Sequence, residues 1–215
     1  MTEDDPSRDL VILVPGNNER RLIDSLLTHR HPSLGIRGIT HKTFIHPNRD
    51  AGCYLQAPEL LRGVSKSYRY ALVMLDHEGC GRERDDPREI ERDLQQRLGS
   101  AGWGNRAEVV VIVPELEAWV WSDSPEVDVA LGWEGRVPPL RKWLEEEDLW
   151  GKGEQKPNDP KGAVERALRE VHIPRSSSVY EALAKTVSLR RCSDPSFARL
   201  TAILQGWFKD VTTTA

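Results

Sequence analysis

Residues 70–75 (YALVML) are an unbroken run of apolar and aromatic residues that leads directly into Asp76. Such a run is typical of a β-strand buried on both faces. Two similar runs, at 10–14 (LVILV) and 109–113 (VVVIV), lie before and after it. Strands of this kind occur in parallel sheets covered by helices on both sides, so these three segments predict an α/β fold.

Helical patterns separate these runs. A first helix is predicted to begin near Glu19, because the leucines and isoleucine at 22, 23, 26 and 27 fall on one helical face. We expect a second strand at 39–45, a short helix at 58–64 and another helix from Asp86-Pro87, an acidic cap followed by proline. The alternation of strand and helix predicts a parallel sheet with helices on both faces.

After Asp123 the pattern becomes entirely helical, with helices predicted at 138–147, 160–171, 178–187 and 195–208. Their starts are marked by Asp159-Pro160, by a Ser178/Glu181 capping box and by Asp194-Pro195. The last helix carries one apolar face, which is suited to docking on the sheet. We therefore predict an α/β domain over 8–123 and a helical region over 124–215 packed on it.

Composition narrows the classes of function. The 215 residues include 30 Lys+Arg and 34 Asp+Glu, a formal charge of −4 that argues against a sequence-independent nucleic-acid coat. The sequence contains no apolar run of the roughly 18 residues that a membrane span needs. The acidic start at 1–6 lacks the pattern of a secretory signal, and three cysteines without CxxC spacing fit a reducing cytosol.

Acidic residues follow three of the predicted strands. They are Glu19 after the first, Asp76 and Glu78 after the third, and Glu115 and Glu117 after the fourth. Ligands of open parallel sheets gather at the carboxyl ends of the strands, and a few carboxylates with waters suffice to hold Mg²⁺. Asp76 and Glu78, two residues apart, would point to the same side of an extended strand. The alternative is that acids at helix starts only complement the helix dipole.

Gly16-x-x-Glu19 followed by Leu75-Asp76-x-Glu78-Gly79 resembles the Toprim pattern, a glutamate after the first strand and Asp-x-Asp after the third. Residues 114–123 (PELEAWVWSD) resemble a stretch of small bacterial Toprim-like proteins. Longer stretches, at 46–53, 76–81, 115–125 and 188–195, are similar to the small Toprim-like component of methylation-associated bacterial anti-phage defence systems. The likeness covers nearly the whole chain.

This resemblance implies a Toprim-like sheet and phosphodiester chemistry that depends on Mg²⁺ or Mn²⁺. Glu19 would be the general acid/base, Asp76 and Glu78 the metal ligands, and Glu117 a further ligand or supporting group. The chain departs from the pattern in having glutamate at 78 and Pro-Gly-Asn-Asn before Glu19. The implied partners are methyltransferase, nuclease or sensor subunits of such a system, with DNA or RNA as substrate and no membrane.

Other candidates have competing interpretations. His46, at the end of the second strand, could orient a phosphate or water, or could be a turn residue before proline. Asp50 could belong to a site loop or to a plain turn. Arg190 and Arg191, with Arg175 and Lys185 nearby in sequence, form the best basic patch for phosphate, although exposed arginines are usually only solvated.

Two classes of function follow from these residues. One is metal-dependent nucleic-acid processing, in which the acids at the strand ends do chemistry. The other is a non-catalytic subunit that keeps the fold to bind a partner. The acidic balance favours the second class, because a nuclease acting alone needs a basic groove, which a partner could also supply.

Overall fold

The computed structural model describes residues 8–210, so the predicted non-secretory start at 1–6 and the last five residues of the predicted helical region lie outside it. The described chain contains one four-stranded, fully parallel sheet in the order β2-β1-β3-β4. The strands are β1 (Arg8–Val14), β2 (His41–Ile45), β3 (Tyr68–Asp76) and β4 (Ala107–Ile112). Pairing of Val14 with Ile45 and of Asp76 with Ile112 brings the carboxyl ends of the strands to one edge.

A helical segment follows each strand, and further helices joined by turns and loops make up the C-terminal region. They are α1 (Asn17–His29), α2 (Arg49–Arg62), α3 (Pro87–Leu98), α4 (Glu126–Ala130), α5 (Leu140–Glu146), α6 (Pro160–Glu170), α7 (Ser177–Thr186) and α8 (Pro195–Phe208). Short helical turns lie at Pro32–Leu34, Gly99–Trp103, Leu116–Trp119 and Leu189–Arg191. The predicted α/β fold with a helical C-terminal region is confirmed.

The two faces of the sheet bury alternate residues of β1, β3 and β4. On β1, Leu10, Ile12 and Val14 belong to a core shared with α1, α6, α7 and α8. Val11 and Leu13 belong to a second core shared with α2 and α3. Burial on both faces explains why the strands are continuous apolar runs and not alternating ones.

Helix α8 packs on the sheet through aromatic and polar contacts. The Trp207 ring stacks on the Tyr70 ring of β3, with centroids 4.6 Å apart. Arg199 Nε donates to the main-chain oxygen of Val109 in β4 at 3.0 Å. The C-terminal helices therefore share their core with the sheet. No helix within residues 8–210 is both long and apolar enough to cross a membrane.

The structure corrects the predicted helix at 58–64. Helix α2 begins at Arg49 and contains Pro58 in its interior. A proline there cannot donate to the main-chain oxygen of Tyr54, four residues earlier. Arg97 Nη2 donates to that oxygen instead, at 2.9 Å. The side chain of Arg97 in α3 thus reduces the free-energy cost of the proline. Because α2 begins at Arg49, Asp50 lies in the first turn of a helix and not in a loop.

The predicted capping box of α7 is also wrong. The residue before the helix is Ser176, and its side chain makes no capping hydrogen bond. Ser178 Oγ lies 2.6 Å from Ser176 Oγ. Glu181 pairs with Arg21 of α1 and Lys185 of α7 instead of reaching back to the helix start. An ion pair to α1 and one within α7 therefore take the place of the capping motif.

Candidate active site

A cleft of about 680 Å³ lies at the carboxyl edge of the sheet. Acidic side chains dominate its lining, and they are Glu19, Asp50, Asp76, Glu78, Glu115 and Glu117. Three basic residues, Arg49, Lys161 and Arg175, also line it, together with His46. The structure therefore places the predicted acids of three different strand ends along one surface.

Asp76, the last residue of β3, has a carboxyl that is buried in this acidic environment. The residue is 9% exposed, and its Oδ1 has no hydrogen-bond partner. Its main-chain N–H donates to Asp50 Oδ1 at 2.8 Å, which joins the end of β3 to the first turn of α2. Burial first, and then repulsion by Asp50 and Glu19, raise the pKa of Asp76 well above its usual range.

Glu19 lies in the first turn of α1 and is 7% exposed. A Cβ atom on Gly16 would lie 2.7 Å from Glu19 Oε2, so the carboxyl lies close to the turn after β1. Burial raises the pKa of Glu19 to about 7, with repulsion from Asp50 and Glu117 adding to the effect. This carboxyl can therefore exchange a proton near neutral pH.

Asp50, which the sequence left open, belongs to the same group of acids. Burial raises the pKa of Asp50, while the charges of Arg49 and Lys161 oppose that rise. Its Oδ1 is held by the main chain of Asp76. Helix α2 thus contributes a cleft carboxylate that the sequence reasoning did not separate from an ordinary turn residue.

The two acids after β4 are each paired with a base from the C-terminal region. Lys161 Nζ lies 2.8 Å from Glu115 Oε2. Arg175 Nη2 lies 2.5 Å from Glu117 Oε1, and the Tyr180 hydroxyl donates to the same oxygen. Because each charge has a partner, these glutamates attach the C-terminal helices to the cleft wall.

Arg175 is held in place by several contacts within the protein. Its Nη1 lies 2.6 Å from Glu165 Oε1, and its Nε donates to the Tyr180 hydroxyl at 3.1 Å. All three of its nitrogens are therefore engaged in contacts with the protein. Lys161 has fewer contacts with the protein, since one of its three ammonium donors is directed to Glu115 and its side chain is 45% exposed, against 32% for Arg175.

The predicted residue His46 also has defined surroundings. His46 is 3% exposed, and its Nδ1 accepts from the Asn48 main-chain N–H at 3.0 Å. A Cβ atom on Gly52 would lie 2.0 Å from that nitrogen, so the ring is packed tightly against the start of α2. His46 lines the cleft, but its visible role is to shape the turn between β2 and α2.

The predicted phosphate contacts Arg190 and Arg191 are not brought to the cleft. They lie on the helical turn Leu189–Arg191, where Arg191 Nη1 donates to the main-chain oxygen of Asp123 at 2.8 Å. The structure puts Lys161 in the cleft instead, which the sequence reasoning missed. No local motif marks Lys161, because its partner Glu115 is 46 residues away in sequence.

The side chains fit a hard cation that keeps much of its water. Within residues 8–210, no three His, Cys, Asp or Glu side chains form a group that could hold a metal ion. Mg²⁺ does not need such a cage, because it commonly binds one or two carboxylates together with waters and substrate phosphates. Asp76 Oδ1 is buried near other carboxylates and has no hydrogen-bond partner. This oxygen is therefore a ligand atom suited to such sparse coordination.

Comparison of the chain with protein-family models, with curated proteins and with solved structures finds no match. Two features of the chain therefore point to a function. One is the cleft, with its buried acids and its exposed lysine. The other is the order of motifs around Glu19 and Asp76 in the sequence.

Proposed function

We propose that the acidic cleft carries out a phosphodiester reaction on a nucleic acid with the help of Mg²⁺ or Mn²⁺. The observation that carries the proposal is the Asp76 carboxyl, buried among other acids with an oxygen that has no partner. A divalent cation would compensate this concentration of negative charge. The Toprim-like order of Glu19, Asp76 and Glu78 supports the same chemistry.

Each side chain has a role that its environment favours. A bound cation would polarise a phosphoryl oxygen and stabilise the charge that develops on it. Asp76 would be its principal protein ligand. Glu19, with a pKa raised to about 7, would give or take a proton at the reacting oxygen at neutral pH.

Lys161 is the proposed phosphate contact of the cleft. It lines the same surface as Asp76, and it keeps donors beyond the one bonded to Glu115. Arg175, by contrast, holds Glu117 and Glu165 in place. This assignment takes the place of Arg190 and Arg191, which do not line the cleft.

We further propose that the activity serves a methylation-associated anti-phage system in the bacterial cytoplasm. The four stretches that resemble the small Toprim-like component of such systems support this role. A net charge of −4 favours a partner, such as a methyltransferase, nuclease or sensor subunit, that supplies the basic surface for DNA or RNA.

The second candidate is a non-catalytic interaction subunit with the same partners. The lack of a three-ligand metal group within residues 8–210 favours it, as does the acidic balance. In that case the cleft acids would be a remnant of the ancestral site or a contact for a basic partner surface.

Replacement of Asp76 by Asn separates the two candidates. The amide keeps the shape of the side chain but removes the charge that attracts a cation. With Mn²⁺ and labelled DNA and RNA oligonucleotides, we expect cleavage by the unmutated protein and about a 100-fold loss or more in the variant, by analogy with groups acting directly on transition-state charge.

The matched control is Glu134→Gln, which neutralises an exposed glutamate that does not line the cleft and should leave cleavage unchanged. The same variants are to be compared for phage protection in cells that carry the partner genes. Equal protection by Asp76→Asn and the unmutated protein would reject catalysis and support the interaction subunit.

A further inference from the structure

We infer that Asp50, and not Glu78, is the second carboxylate that holds a divalent cation together with Asp76. The inference rests on the proposed function and changes its ligand set. The spacing Asp76-x-Glu78 suggests a pair on one strand, but the structure joins Asp76 to a residue of α2.

The chain leaves the extended conformation directly after Asp76. Strand β3 ends at Asp76, and the chain continues in a turn along the end of β4. The main-chain N–H of His77 donates to Ile112 at 2.8 Å, and that of Glu78 donates to Pro114 at 3.0 Å. Glu78 is exposed, and its charge acts on Glu115. The alternation of an extended strand therefore does not extend to Glu78.

Asp50 is held beside Asp76 by a direct hydrogen bond. Asp50 Oδ1 accepts from the Asp76 main-chain N–H at 2.8 Å, which fixes the position of the carboxyl. A Cβ atom on Gly79 would lie 3.8 Å from Oδ2, so this oxygen is next to the turn that lines the cleft. Gly79 has φ +89°, a conformation that favours glycine and directs the chain past Asp50.

The buried oxygen of Asp76 is the independent sign of a ligand. Asp76 is 9% exposed, and Oδ1 has no partner within the protein. Among the neighbouring charges, that of Asp50 acts most strongly on this carboxyl. The lysine in the cleft directs its ammonium to Glu115. Two adjacent acids, one with an unused buried oxygen, therefore form the part of the cleft in which a cation is most favourable.

Mn²⁺ binding to the full chain tests this inference, with free Mn²⁺ measured by electron paramagnetic resonance. Asp50→Asn keeps an oxygen that can accept from Asp76 but removes the charge. We expect Asp50→Asn to weaken Mn²⁺ binding about tenfold or more, since even residues that only orient a metal ligand contribute roughly 10- to 100-fold. Glu78→Gln should change binding by less than about twofold, as for an exposed side chain outside the ligand set.

A thermal melt without metal shows whether each variant folds. Asp50→Ser, which also keeps an acceptor in the first turn of α2, replaces Asp50→Asn if the latter does not fold. An equal or larger loss in Glu78→Gln than in the Asp50 variant overturns the inference and leaves the proposed function standing. If the unmutated protein binds no Mn²⁺, the inference and the metal-dependent function are both rejected.

Discussion

Replacement of Glu19 by Gln should stabilise the metal-free protein, and the gain should depend on pH. Burial raises the pKa of Glu19 from 4.5 to about 7 in the folded state, so the folded protein holds a proton there that the unfolded chain releases. The stability contribution of this proton is complete below about pH 4.5 and is lost as pH rises through about 7. Glutamine is neutral at every pH, so the variant does not lose this stability as the pH rises.

The size of the effect follows from the two pKa values. The interval from 4.5 to about 7 corresponds to about 3 kcal/mol at about 1.4 kcal/mol per pH unit. The difference in free energy of unfolding between the variant and the unmutated protein should be about 3 kcal/mol larger at pH 8 than at pH 4.5, in favour of the variant. For a chain of this size the gain corresponds to roughly 6–12 °C in melting temperature, at about 2–4 °C per kcal/mol.

Urea unfolding in EDTA at several values between pH 4.5 and pH 8 measures this gain. EDTA keeps divalent cations from compensating the cleft charge. Glu134→Gln, on the exposed surface, serves as the control and should shift stability by less than about 0.5 kcal/mol at each pH. A difference between Glu19→Gln and the unmutated protein that stays constant across this range would refute the assigned burial of Glu19.

Two further predictions concern the bases of the cleft. Arg175→Gln should destabilise the protein by about 2–3 kcal/mol in urea unfolding, because it leaves the Glu117 carboxylate buried without its cation. The double variant with Glu117→Gln should recover most of that loss, and no recovery would contradict the pairing. Lys161→Gln should reduce the slope of log affinity against log salt for single-stranded nucleic acid by about 0.7, whereas an unchanged slope would exclude a phosphate contact.

The strands were predictable because burial on both faces leaves a strong compositional pattern. The ends of β1, β3 and β4 were predicted to within two residues. This is the usual uncertainty of strand boundaries predicted from sequence. The helix starts at Asp86, Asp159 and Asp194 were also predictable, since each aspartate accepts a main-chain hydrogen bond in the first turn. In these segments local chemistry and tertiary structure agree.

Helix α2 could not be predicted because its stability depends on a distant residue. Arg49 has φ +50°, and Pro58 lies inside the helix, so local rules favour a turn followed by a short helix. The main-chain oxygen freed by Pro58 is satisfied by Arg97, which belongs to α3. A single sequence does not show which arginine supplies that donor. Because the start of α2 was not predicted, the position of Asp50 in the cleft could not be predicted either.

The candidate site was predictable only for the acids that end strands. The parallel sheet alone places Glu19 and Asp76 at one edge. The bases came from sequence-distant segments, with 46 residues between Glu115 and Lys161 and 58 between Glu117 and Arg175. The Arg190/Arg191 pair was prominent in sequence, yet proximity in sequence gave no information about its distance from the cleft.

The C-terminal helices determine which cleft acids are available to a ligand. Lys161 and Arg175 engage the two glutamates after β4, each through a direct ion pair. The remaining buried acids are held close together by the sheet edge and by the first turns of α1 and α2, and their raised pKa values reflect burial and mutual repulsion. These ion pairs make Lys161 and Arg175 part of the cleft wall, so the helical region contributes to the site.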